Sequence, residues 1–350
     1  MRAVVFAGPG KVRLDDVPEP RIEDRGDAVV KVTLSAICAS DLHVISGKTP
    51  GMPEGGVIGH EFVGVVTAAG AGVADHAAGD RVLGSFLIAC GNCGPCARRR
   101  FNFCTRRRAI GFGPITGDLA GSQADYVRIP DADVNLKSLG GEFSALDDER
   151  ALFAGDILAT GFYAAALSDI GTDDNVVVVG AGPVGVFCAS AALRLTPHVL
   201  VLDADPQRVA FAREQMGLDA RDVSQTEPQA VVAGHTGGEM AAVAIDAVGS
   251  IPALKTAMRC VADGGTVTVV GVYGAERYEL PMGVAWIRGL DLRFAGMANV
   301  HAHWHDALAS TLAKEVDPTA IITHRLPLED APEGYELFES RRAMKVVLIP

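Results

Sequence analysis

Four thiols fall within the single stretch CGNCGPCARRRFNFC, at Cys90, Cys93, Cys96 and Cys104. Thiolates are good zinc ligands, and four of them complete a tetrahedral shell with no position left for water or substrate, which marks a structural site. Gly91, Gly94 and Pro95 supply turns that bring the sulfurs toward one point. The same donors also suit an iron–sulfur cluster, the competing inorganic reading. Six arginines crowd the segment: Arg98, Arg99, Arg100, Arg106, Arg107 and Arg108. In a chain of formal net charge -12 they read as a solvated face offsetting a zinc tetrathiolate, not as a nucleic-acid contact.

A second set of donors is dispersed. ICASDLH carries Cys38, Ser40, Asp41 and His43, and GHE supplies His60 and Glu61. One thiolate and one neutral imidazole are two of the three protein ligands of an open zinc site, which keeps its fourth position for water or substrate. Spacing alone names no third ligand. Each residue also has a plainer use: Cys38 as a small buried side chain, His60 as a hydrogen-bonded core histidine, Ser40-Asp41 as a turn or cap.

A third constellation is NVVVVGAGPVGVF, which sets Gly180, Gly182 and Gly185 as G-x-G-x-x-G between a Val-rich run and a helical pattern, followed by VLVLD ending in Asp203. That context turns a weak glycine spacing into a dinucleotide fingerprint. Gly180 makes the tight turn, Gly182 admits a pyrophosphate, Gly185 lets helix and strand approach, and Pro183 and Val184 open the helix whose N-terminus attracts the phosphates. Asp203 is placed to bind the adenosine ribose and to repel a 2'-phosphate, and Ala204 beside it is no arginine, so NAD is favoured over NADP.

These groups need elements to hold them. With 350 residues, two domains are expected. Segments such as AVVKVTLSAI, EFVGVVTAAG, DRVLGSF and ADYVRIP predict an antiparallel, turn-rich first part. From about residue 157 Val-rich runs alternate with helical patterns, the grammar of a parallel sheet with crossover helices. The tail adds a helical stretch, HDALASTLAKEV, and the strand-like MKVVLIP. The start has no secretory h-region, no run is long enough to span a membrane, and the seven cysteines suit metal better than disulfides, so the cytoplasm is the expected location. Cys188 and Cys260 read as core residues. HAHWH suggests three aligned imidazoles on a strand, but a helical reading would scatter His301, His303 and His305.

In order and over nearly the whole chain, C-x-S-D-x-H, G-H-E, the four-cysteine lobe and the dinucleotide fingerprint resemble the zinc-dependent medium-chain alcohol dehydrogenase family. The resemblance implies an α/β fold: a GroES-like catalytic domain over residues 1–156 and 295–350, with the zinc lobe at 90–104, and a doubly wound Rossmann NAD-binding domain over 157–294. The active site would lie in the cleft. Asp156, in AGDILATGF, is implied as the third ligand beside Cys38 and His60; without the resemblance it could equally cap the following helix. Many members carry cysteine or glutamate there, and an aspartate resembles the formaldehyde-dehydrogenase-like branch.

The family pattern implies two zincs per chain, one catalytic and one structural. Ser40 and His43 would relay the alcohol proton, Glu61 would act as a transient ligand, and Asp41 would orient His60. Thr160, Arg208, Val270 and Val272 would touch the cofactor, Lys345 would reach its pyrophosphate, and Phe86 would line the substrate pocket. The implied reaction is reversible oxidation of a primary or secondary alcohol. Polyol, sugar-alcohol or formaldehyde-type substrates, and a catalytically silent zinc and NAD protein, stand as alternatives. A homotetramer is expected, with a dimer as the other option, and neither nucleic acid nor membrane as a partner.

Overall fold

The computed structural model describes residues 1–47, 51–274 and 278–350. The chain divides into two compact units, Met1–Asp156 with Asn299–Pro350, and Ile157–Ala298.

The first unit is built on a seven-stranded sheet. Ala28–Ile37 is its centre, pairing antiparallel with Glu61–Ala69, Tyr126–Ile129 and Lys345–Ile349. Its residues are mostly β-branched and small, and Val30, Val32, Ala36 and Ile37 are all buried whichever face they take, as expected for a strand covered on both faces. Register sets which side chains share an edge of this sheet. Ala36 faces Glu61 on one neighbour and Val347 on the other. The end of the central strand therefore lies beside the start of Glu61–Ala69 and the start of Lys345–Ile349, so Cys38, His60, Glu61 and Lys345 gather at one edge of the sheet. Asp156 arrives there on the short turn Phe153–Gly155, tied by the Phe86 N–H to the Gly155 carbonyl at 3.4 Å.

The second unit is a six-stranded sheet, parallel throughout, in the order Ala220–Asp222, Val199–Asp203, Val176–Val179, Ala241–Asp246, Val261–Val269, Asp291–Phe294. All four residues of Val176–Val179 are buried, which is why that run shows no alternation. The helices begin on recognisable caps: Asp205 accepts from the Gln207 N–H, and Ser250 from the Ala253 N–H. Cys188 and Cys260 are buried in the helices Pro183–Ala192 and Ile251–Cys260.

HAHWH lies inside the helix Val300–Leu312. Helical spacing scatters the three rings: His301 is buried, His303 half-buried and His305 exposed. No single helix among the described residues is long and apolar enough to cross a membrane.

Candidate active site and metal centres

Two groups of metal-competent side chains stand out among the described residues: Cys38, His60, Glu61 and Asp156, and Cys90, Cys93, Cys96 and Cys104, each with its donor atoms within 4.8 Å of one another. In the first, His60 Nε2 lies 3.2 Å and Cys38 Sγ 3.8 Å from Asp156 Oδ2. A tetrahedral ion at ordinary bond lengths would space a nitrogen and an oxygen by ~3.3 Å and a sulfur and an oxygen by ~3.5 Å. The donor set fits zinc, and all four residues are buried. The charge balance fits as well. Burial works against a proton on His60, but Asp41 and then Asp156 hold its pKa well above the ordinary value. Asp156 is held below the usual carboxylate range, because His60 outweighs its burial. The carboxylates that favour a charged imidazole would equally favour a metal cation at the same place.

Ser40 and His43 sit on the short helix Ala39–Ile45, three residues apart and so on one face. The Ser40 hydroxyl is 3.3 Å from Cys38 Sγ and 3.2 Å from His60 Nε2. His60 Nδ1 is 3.0 Å from Asp41 Oδ1, in ion-pair range though poorly aligned for a straight hydrogen bond. Asp41 Oδ2 in turn accepts the Cys38 N–H at 2.9 Å. Phe86 meets the His60 ring edge-on at 6.1 Å, and Phe112 packs on it at 4.9 Å.

Lys345 is fully buried and its ammonium is 2.6 Å from Glu61 Oε2, over the Phe153 ring. One of its three donors serves Glu61 in this arrangement. Burial alone would lower the Lys345 pKa, but Glu61, then Cys38, hold it above the ordinary value. Burial raises Glu61 against the pull of Lys345.

In the second group the sulfurs of Cys93 and Cys96 are 3.4 Å apart and those of Cys90 and Cys104 3.5 Å. Four sulfurs around one zinc would lie ~3.8 Å apart. Such crowding suits a single ion and not a cluster, whose width would hold the sulfurs further out. The Cys96 backbone N–H draws the Cys93 pKa down to about 5, while burial pushes Cys96 up to about 12 and raises Cys104, so the metal itself must drive the remaining thiols to ionise. The lobe is anchored from below: Asn299 accepts from the Phe101 N–H and donates to the Arg99 carbonyl.

In the second unit the glycine loop has the shape its spacing predicted. Gly180 has φ +105°, and a Cβ on Gly185 would meet the Gly180 carbonyl oxygen at 1.9 Å, so neither position tolerates a side chain. The Asp203 carboxylate accepts from the Ala181 N–H at 2.7 Å and from the Asp205 N–H at 2.9 Å, bracing the loop. Its oxygens keep lone pairs for further donors. The Arg208 guanidinium reaches over Gly182. Pro183 and Val184 form the first turn of the helix, Val272 is exposed and Val270 half-buried beyond the strand Val261–Val269, and Thr160 is buried in the helix Ile157–Ser168.

Comparison with known proteins places this architecture. Residues 24–138 match the model of the alcohol dehydrogenase GroES-like domain, and residues 183–313 that of the zinc-binding dehydrogenases. An uncharacterised zinc-type alcohol dehydrogenase-like protein of Bacillus subtilis is 32% identical, with 100% of both chains covered. This chain belongs to the zinc-type medium-chain alcohol dehydrogenase family.

The dehydrogenase is thus an oxidoreductase with a GroES-like domain and a parallel, Rossmann-like sheet, and the silent zinc and NAD protein gives way to an enzyme. The alcohol dehydrogenase of Thermus sp. ATN1 superposes with a TM-score of 0.93 at 40% identity, covering 100% of this chain and 99% of that one. A glutathione-independent formaldehyde dehydrogenase of Pseudomonas aeruginosa is 30% identical over 100% of this chain and 97% of its own.

Three residues at the site escaped sequence reasoning: Phe112, Gln123 and Tyr335. None stands in a motif, and Tyr335 is 294 positions from the Asp41 it approaches. No local signal could have found them.

Proposed function

We propose that this dehydrogenase oxidises a primary or secondary alcohol reversibly with NAD, with Cys38, His60 and Asp156 as ligands of a catalytic zinc and Cys90, Cys93, Cys96 and Cys104 as ligands of a structural one. The observation that carries the reading is the convergence of a thiolate, an imidazole and a carboxylate at zinc spacing with a serine hydroxyl against two of them. Bound zinc would supply Lewis acidity that lowers the pKa of a hydroxyl by many units, and bound NAD would supply the hydride acceptor.

The chain's own residues do the rest. Ser40 takes the proton of the alcohol at the rim of the ligand set, and His43, one turn along the same helix, exchanges it with solvent. Asp41 holds the Nδ1 side of His60, leaving Nε2 for the metal. Glu61 offers an oxygen within 4.8 Å of the three ligand atoms, placed for transient ligation. Phe86 and Phe112 cover the imidazole and keep water from it. In the other unit, Gly180, Gly182, Pro183, Val184 and Gly185 receive the pyrophosphate, Asp203 and Arg208 the adenosine ribose, and Thr160, Val270 and Val272 the rest of the cofactor.

Formaldehyde-type oxidation is the second reading, favoured by the aspartate at position 156 and by the Pseudomonas aeruginosa relative. The same reading makes the enzyme a homotetramer of the cytoplasm. The test joins metal analysis to an NAD-coupled screen of alcohols, polyols and formaldehyde. Two zincs per chain with alcohol-dependent NAD reduction is the expected result; activity on formaldehyde alone selects the second reading. Asp156→Asn is expected to leave one zinc per chain and to cut turnover at least ~100-fold, beyond the usual loss on removing an outer-sphere partner. Two retained zincs with normal turnover would overturn the ligand assignment.

A further inference from the structure

Asp41 is 1% exposed, and the groups around it come from three separate parts of the chain. Besides the Cys38 N–H, its Oδ2 faces Gln123 Nε2 at 3.3 Å and the Tyr335 hydroxyl at 3.3 Å. Gln123 Nε2 also donates to the Ala36 carbonyl at 3.1 Å, and Gln123 Oε1 is 2.8 Å from the Tyr335 hydroxyl. This pattern fixes the amide. The Ala36 carbonyl can only accept, so Nε2 must face it, and Oε1 must then face the one available donor, the Tyr335 O–H. Burial, followed by the charge of Asp41, holds the Tyr335 pKa well above its ordinary value, so the hydroxyl keeps its proton.

The backbone makes room for the arrangement. Gly59, immediately before His60, has φ +89°, and a Cβ there would lie 2.3 Å from Gln123 Cγ. The glycine of GHE is thus the gap through which Gln123 reaches Asp41. With Oδ2 engaged by the Cys38 N–H and the Gln123 amide, Oδ1 is the oxygen left for His60 Nδ1.

We propose that Tyr335 and Gln123 are positioning residues for the zinc ligand His60, acting through Asp41: Tyr335 locks the Gln123 amide, Gln123 locks the carboxylate, and the carboxylate sets the tautomer and angle of the imidazole. This rests on the reading of Cys38, His60 and Asp156 as a zinc site. Removing the Tyr335 hydroxyl leaves Gln123 Oε1 buried without a donor, an unpaired acceptor whose cost loosens the hold of the amide on Asp41.

The test uses purified holoenzyme and two variants, Tyr335→Phe and Gln123→Met, with zinc release to a chelating dye followed in time. The phase belonging to the Cys38 site is the one missing in Asp156→Asn. Both variants are expected to release that zinc ~10-fold faster or more, in line with outer-sphere losses elsewhere, while the four-cysteine zinc leaves at the parent rate. In cobalt-substituted enzyme the visible bands of the mixed-donor site shift and those of the tetrathiolate do not. Release within twofold of the parent with unchanged cobalt bands overturns the proposal. So does equal loss of both metals in the two variants, which would mark a mere packing defect; if one variant fails to fold, the other decides. A parent that binds only the four-cysteine zinc refutes the metal-site reading instead, a distinct result.

Discussion

The buried pair Glu61–Lys345 offers a sharp test of the electrostatics at the site. A dication at the proposed triad would already be balanced by a Cys38 thiolate and the Asp156 carboxylate, so the charge of Glu61 falls to Lys345, 2.6 Å away. Lys345→Met leaves a carboxylate that is 0% exposed without its cation. Its cheapest escape is to bind a proton. Burial already raises Glu61 from 4.5 to about 7 against the pull of Lys345, so the folded parent too binds a proton that the unfolded chain lacks. Without Lys345 the folded value rises further, and keeping the carboxyl protonated above that point costs the variant an extra ~1.36 kcal/mol per pH unit, at most ~2.7 kcal/mol at pH 9 and less than ~0.5 at pH 7. The sign is fixed: the variant's folded carboxyl holds its proton to higher pH than the parent's, so stability relative to the parent is lost as pH rises through about 7. For a unit of this size each kcal/mol moves the melting temperature by ~2–4 °C, giving a loss of up to ~5–11 °C at pH 9 that shrinks to ~2 °C or less at pH 7. Thermal unfolding at the two pH values measures it, and Glu61→Gln in the same chain is expected to recover most of the loss at pH 9. A melting temperature within ~2 °C of the parent at pH 9, or an equal loss at both pH values, would refute the assignment of Lys345 as the counter-ion.

Two other outcomes are expected from the geometry. Cys104→Ser is expected to remove one zinc per chain and lower the melting temperature by more than ~5 °C, because metal binding at a closed site is folding free energy; an unchanged melting curve with two zincs would show that the lobe is no clamp. Asp203→Gly is expected to improve kcat/KM with NADP relative to NAD by ~30-fold, since a 2'-phosphate of charge about -2 meets ~1 kcal/mol of repulsion per unit charge at ~4 Å in a watery setting. A cofactor ratio that stays at the parent value would remove Asp203 from ribose recognition.

The parts of this dehydrogenase that were legible in its sequence are those whose partners lie close along the chain. The four sulfurs of the lobe are separated by turns that glycine and proline dictate, and the glycine loop lies between a strand and the helix it feeds, so local chemistry nearly determines both. The Val-rich strands and crossover helices of the second unit were readable for the same reason: burial on both faces writes itself as an unbroken apolar run. The helix Val300–Leu312 likewise decided the fate of HAHWH by periodicity alone.

The active site is a different case. Nothing in the spacing of Cys38, His60 and Asp156 says that their donors meet; resemblance suggested the set, and the register of three strands around Ala28–Ile37 together with the turn Phe153–Gly155 brings them to one sheet edge. The pairing of Lys345 with Glu61, and the bonds from Gln123 and Tyr335 to Asp41, belong wholly to the tertiary structure. They join residues up to 294 positions apart whose types are ordinary core and surface types. Sequence sets which groups are available and how the backbone turns locally. Only packing decides which buried charge must answer which, because the cost of leaving a polar group unpaired arises once the surrounding chain has excluded water.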